Sequence, residues 1–130
     1  MAAGSILGMT GAEMMQRFVT VIDDHDWEGL ARLLHEDFRC HLVHTGEMFG
    51  KEEWVRFNAD YPGFERMVLE DCVSEGERAV GRASVTGTSD GRPQRFAVAS
   101  FVTLRDGLIV DLTEVWTDVG LEAPAGTRLA

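Results

Sequence analysis

The stretch RFVTVIDDHDWEGLARLLHEDFRCHLVHTG, residues 17–46, changes its hydrophobic period twice and so decides the architecture. Its first part continues a helix, because Met14, Phe18, Val21 and Ile22 follow helical spacing. Upstream, Thr10-Gly-Ala-Glu13 has the form of a capping box, a hydroxyl and a carboxylate closing the free N–H groups of the first turn. This helix is predicted to run to about Asp23. Asp26 caps a second one, whose apolar face is Trp27, Leu30, Leu33 and Leu34. From Asp37 to His44 the period falls to two, which predicts a strand.

Beyond that stretch, Gly46 and Gly50 bracket a predicted loop, and Lys51 to Tyr61 returns to helical spacing until Pro62 ends it. Trp54, Phe57, Asn58 and Tyr61 share one face of this third helix, so a single amide sits inside an aromatic stripe. Strands are predicted near 65–74, 77–88, 94–105 and 108–118. The dipeptides Glu75-Gly76, Asp90-Gly91 and Asp106-Gly107 separate them as turns. Three helices in the N-terminal half and then an antiparallel meander predict an α+β fold, with the helices laid on one face of a curved sheet. Residues 1–9 read as an N-terminal extension, 10–119 as the domain, and 120–130 as a loose tail with little to pack.

The totals narrow the function. A chain of 130 residues, 45% apolar and 26% charged, has the composition of one globular domain large enough to bury a core. A net charge of −10 argues against nucleic acid and anionic membranes as partners. The opening MAAGSILGM lacks the basic segment of a secretory signal, and Cys40 and Cys72 show no CxxC pairing, so a cytoplasmic protein with free thiols is expected. His41 and His44 lie three apart on a strand and point to opposite faces, which makes a shared metal ion unfavourable. No phosphate loop, dinucleotide fingerprint or nucleophile elbow is present, and no cofactor is expected.

Three segments together resemble the SnoaL-like and ketosteroid-isomerase-like branch of the nuclear transport factor 2-like superfamily. They are the D-x-x-D-W-x-x-L junction with its E-D-F strand entry, Gly50-Lys-Glu-Glu-Trp54, and Arg105-Asp-Gly-Leu-Ile109 running to Glu114-Val-Trp116-Thr-Asp118. The resemblance spans about Met14 to Asp118 and implies a cone-shaped fold, a strongly curved, mixed and mainly antiparallel sheet wrapped around the three helices, with a ligand cavity. It also implies that the isomerases' chemistry is absent. Their oxyanion-hole tyrosine falls at Phe18, their catalytic base at Leu42, their second oxyanion donor at Ser100, and a supporting tyrosine at Asn58. The scytalone-dehydratase branch has a Tyr-Asp pair at the positions of Ile22 and Asp23, of which only the aspartate is kept. The Asp-Arg-Asp set of the epoxide-hydrolase branch is imitated here by Asp23, Arg82 and Glu114.

With the even-numbered faces turned inward, the cavity is expected to hold His44, Asn58, Arg82, Ser100 and Glu114 among Leu42, Phe96, Val98 and Trp116. Asp23, His44 and Glu114 are the candidate acids and bases, since a carboxylate stranded in an apolar wall has its pKa raised and histidine titrates near neutrality. Arg82 and Asn58 are the candidates for holding a substrate oxygen. Phe18, Leu42, Trp54, Tyr61, Val98, Ser100 and Trp116 complete the expected substrate wall. These residues suit cofactor-free isomerisation, cyclisation, dehydration or hydration of a hydrophobic small molecule. The alternatives are ligand binding without turnover and protein association by the same fold. The opposite face, read as Ala79, Gly81, Ala83, Ala97 and Ala99, is small and flat, and the resemblance implies a homodimer through it.

Overall fold

A computed structural model describes residues 9–128. Helix α1, Gly11–Asp23, opens on a complete capping box: the Thr10 hydroxyl accepts from the Glu13 N–H at 3.1 Å, and the Glu13 carboxylate accepts from the Thr10 N–H at 3.0 Å. Its buried face is Met14, Met15, Phe18, Val19, Val21 and Ile22. His25 turns the chain with a φ of 56°, and the Asp26 carboxylate accepts from the Gly29 N–H at 2.9 Å to start α2, Trp27–Leu33. Strand β1 then runs over Leu34–Leu42. It begins earlier than the alternation suggests, because Leu34 leaves the helix in an extended conformation and pairs with Ile109.

The segment expected to be a loop contains a short strand, β2, Met48–Gly50, which pairs antiparallel with β1. Helix α3, Lys51–Ala59, follows directly. The meander consists of β3, Phe64–Glu75; β4, Arg78–Ser89; β5, Arg92–Arg105; and β6, Leu108–Asp118. Asp90-Gly91 and Asp106-Gly107 each place two successive residues at positive φ, the geometry of tight hairpin turns. The six strands are ordered β2-β1-β6-β5-β4-β3, and only the β1–β6 contact is parallel. The sheet is therefore mixed and mainly antiparallel. It stays open, with β2 and β3 at its edges, and the helices cover one face.

Inter-strand register fixes which residues face the helices, and it corrects the expectation for β4. Ser100 pairs with Gly81, Val98 with Ala83 and Phe96 with Val85, so the even-numbered inner face of β5 continues onto odd-numbered residues of β4. Arg82 consequently points away from the helices, exposed, with its guanidinium 3.2 Å from Glu70. Ala79, Gly81 and Ala83 face inward. They are small because α1 lies on them: a side chain at Gly81 would run into Met15, and one at Gly11 would approach the Arg78 carbonyl and Ala79. In β6 a bulge between the Thr103 and Leu104 pairings turns both Ile109 and Val110 inward, after which Leu112, Glu114 and Trp116 keep the inner face. Among the described residues no helix is long and apolar enough to cross a membrane.

Candidate active site

The helices do not fill the space above the sheet completely. A cavity of about 410 Å³ remains between α3, the end of α1 and the inner faces of β3 to β6. This is the size at which small-molecule sites begin. Helix α3 contributes Trp54, Phe57 and Asn58, and Tyr61 follows from the turn after it. The sheet contributes Leu42, Phe64, Met67, Val85, Phe96 and Trp116, and Ile22 closes the side nearest α1. His44, Thr117, Asp118 and Leu121 lie where the cavity reaches solvent, all four being exposed.

One ionisable group is buried in this wall. Glu114 is 4% exposed, yet it lines the cavity. One carboxylate oxygen accepts from the Ser100 hydroxyl at 2.8 Å and the other from the Trp116 indole N–H at 3.1 Å. Loss of solvent pushes its pKa up, and these two donors oppose the shift only in part. Among the described residues no lysine, arginine or histidine nitrogen comes within ion-pair distance of it. The fully buried thiol of Cys40 has its own pKa raised, first by burial and then by the nearby Glu114. A thiol in that state is a poor nucleophile.

The cavity brings together Leu42, His44, Trp54, Asn58, Tyr61, Glu114 and Trp116 of the residues singled out in the sequence. The Asn58 amide donates to the Trp54 carbonyl at 2.8 Å, four residues back along α3, which leaves its oxygen as the free polar end. Ser100 lies behind Glu114 and reaches the cavity through it. Phe18 and Val98 are core residues outside the cavity wall. Phe18 stacks on Trp54 with ring centres 5.8 Å apart, supporting the wall from behind. Arg82 is on the outer face, as described above.

Asp23 also lies off the cavity wall. Its carboxylate accepts from the Arg66 guanidinium at 2.8 and 3.1 Å and from the Met67 N–H at 2.9 Å. The Arg66 hydrogen bond holds its pKa below the ordinary value. An aspartate so anchored is a clamp between α1 and β3 and has no free oxygen edge for proton transfer. The Asp23–Arg82–Glu114 set is therefore not assembled. Among the described residues no group of three or more His, Cys, Asp or Glu side chains could hold a metal ion.

The sequence profile of the SnoaL-like domain matches residues 15–112, most of the chain. This chain belongs to the SnoaL-like domain family. No curated protein sequence matches it significantly. Among solved structures, the domain superposes on a protein of Kribbella flavida DSM 17836 provisionally described as a ketosteroid isomerase, with a TM-score of 0.79 and 25% identity over 95% of this chain and 89% of that one. A protein of Jannaschia sp. CCS1, provisionally described as a SnoaL-like polyketide cyclase, gives a TM-score of 0.72 at 23% identity over 85% of this chain and 87% of that one. An LEH-like epoxide hydrolase of M. tuberculosis gives a TM-score of 0.69 at 11% identity, with 80% of each chain covered. The fold is that of the ketosteroid-isomerase-like and nuclear transport factor 2-like proteins.

In this SnoaL-like domain several wall residues escape a reading of spacing alone. Phe64 and Met67 belong to β3, where a bulge between Phe64 and Arg66 breaks the alternation and brings an even- and an odd-numbered residue to one face. Thr117, Asp118 and Leu121 sit at the end of β6 and in the segment expected to be a loose tail. Leu121 is the residue of this segment that lines the cavity, and the alanines, glycines and proline around it give no periodicity that would have pointed to it.

Proposed function

We propose that this SnoaL-like domain is a cofactor-free enzyme that moves a proton on a hydrophobic small molecule held in the cavity, as an isomerase, cyclase or dehydratase would. The observation that supports this reading is Glu114: one carboxyl group, buried, raised in pKa and oriented by Ser100 and Trp116, in a wall that is otherwise mainly apolar. A base of this kind takes a proton from the substrate and returns it to a neighbouring atom, and His44 lines the same cavity where it reaches solvent. The free oxygen of Asn58 is a hydrogen-bond acceptor for a substrate hydroxyl. General acid–base catalysis of this kind contributes about 10²–10⁴ in rate.

The test is hydrogen exchange. A panel of hydrophobic ketones and enones incubated with the protein in D₂O should include compounds that gain deuterium beside the carbonyl. Glu114→Gln should slow that exchange by about 10²–10⁴ while the cavity stays intact. Exchange that persists at full rate in the variant would overturn the assignment. Phe18 and Leu42 favour a second reading, ligand carriage without turnover, because both are apolar where the isomerases place a donor and a base. Under that reading a compound binds and returns with its hydrogens unexchanged.

We also propose a homodimer through the outer sheet face. Val73, Val80, Phe101, Thr113, His41 and Met48 fall on one register line that crosses all six strands. Val73, Phe101 and Met48 on that line are exposed, as is Val115 on the next.

A further inference from the structure

The cavity is one-sided in charge. Among the described residues no lysine or arginine lines it, whereas Glu114 stands in its wall, with Asp118 and His44 at its opening. Its other large contributors are aromatic: Trp54, Phe57, Tyr61, Phe64, Phe96 and Trp116. A buried carboxylate is ordinarily met by a cation from the protein, because removing it from water costs several kcal/mol or more. Glu114 has two hydrogen-bond donors and no such cation among the described residues. The missing charge must come from a proton or from whatever occupies the cavity. Aromatic faces attract cations most strongly where water is excluded, and this carboxylate shares the cavity wall with six aromatic residues.

We propose that the natural ligand brings that positive charge: it is a hydrophobic amine, cationic at neutral pH, whose ammonium group is received by Glu114 within the aromatic wall. The inference rests on the reading above that Glu114 meets the substrate, and it adds the chemical class of what Glu114 meets. The chain's net charge of −10 draws such a ligand in and repels carboxylate or phosphate compounds of the same shape. An ammonium beside the reacting carbon would also acidify its C–H bonds, so recognition and proton removal would use the same carboxylate.

Three near-isosteric probes separate charge from shape: 2-phenylethylammonium, 2-phenylethanol and phenylacetate. Two of the chain's three tryptophans line the cavity, so binding is followed by their fluorescence in the wild-type protein. The ammonium compound is expected to bind at least tenfold more tightly than the alcohol, and phenylacetate more weakly than either. Glu114→Gln should bring the ammonium compound to the affinity of the alcohol and change the alcohol less than threefold. Equal affinity for ammonium and alcohol, or a preference for phenylacetate, overturns the inference on the wild-type protein alone, whether or not the variant folds. Deuterium exchange lost in Glu114→Gln without any preference for the cation would leave the acid–base reading standing and remove this one. A cation preference with exchange unaffected would do the reverse.

Discussion

At Glu114 the sign of the pH dependence follows from burial. Its folded-state pKa lies above the usual 4.5, so the folded chain holds this proton where the unfolded chain has released it. The group's stabilising contribution is complete below about pH 4.5 and is lost as pH rises through its folded pKa. Thermal melts from pH 4 to 9 should therefore show the melting temperature of Glu114→Gln rising relative to wild type with increasing pH. A constant difference would mean that the carboxyl group titrates normally. Asp23 has the opposite sign. Its depressed pKa favours the fold above the ordinary aspartate range, and that contribution is lost as pH falls through its folded value. Asp23→Ala removes the partner of the Met67 N–H and of Arg66, and is expected to cost about 1–2 kcal/mol in urea unfolding. Hydrogen exchange on substrate should be unaffected, and its loss in this variant would return Asp23 to the mechanism.

Helices and hairpins differ in how openly the sequence displays them. The capping residues Thr10, Glu13 and Asp26, and the Asp-Gly turns, are local devices that work the same way in any context, so α1, α2 and the β4–β5 and β5–β6 hairpins can be read directly. The inner face of β4 cannot. Ala79, Gly81 and Ala83 look like a flat outer surface, yet their smallness is what lets α1 approach the sheet. The neighbouring Arg82 seems to enrich a cavity that register keeps it out of. Site residues on α3 are legible from the helical spacing of Trp54, Phe57 and Asn58; Phe64 and Met67 on β3 are hidden by the bulge between Phe64 and Arg66. At the turn between α3 and β3, Gly63 has a φ of 79° and lies against the backbone of Thr88, whose N–H donates to its carbonyl at 2.9 Å. A side chain there meets both a disfavoured conformation and a backbone obstruction. Gly63→Ala is expected to destabilise the domain by about 2–3 kcal/mol and to loosen Tyr61 and Phe64 at the cavity. A melt indistinguishable from wild type would show that this turn has another way to close.

For the whole molecule, the open sheet offers one uncovered face, crossed from edge to edge by a line that is apolar except at Thr113 and His41. If two copies meet there, light scattering at micromolar concentration should report twice the mass of the 14.4 kDa chain. Phe101→Glu should halve it, because two buried carboxylates would face one another across a two-fold contact. A monomer in the unmodified protein would end the proposal. Leu121 has a more practical bearing. It lies past the last strand, in a segment that a designer trimming to the regular fold would discard, yet it lines the mouth of the cavity. An expression clone shortened after Asp118, or fused at that end to a bulky affinity tag, would alter entry and release while leaving circular dichroism unchanged. Assays are best carried out with the segment after Asp118 retained and without a bulky group beside Leu121.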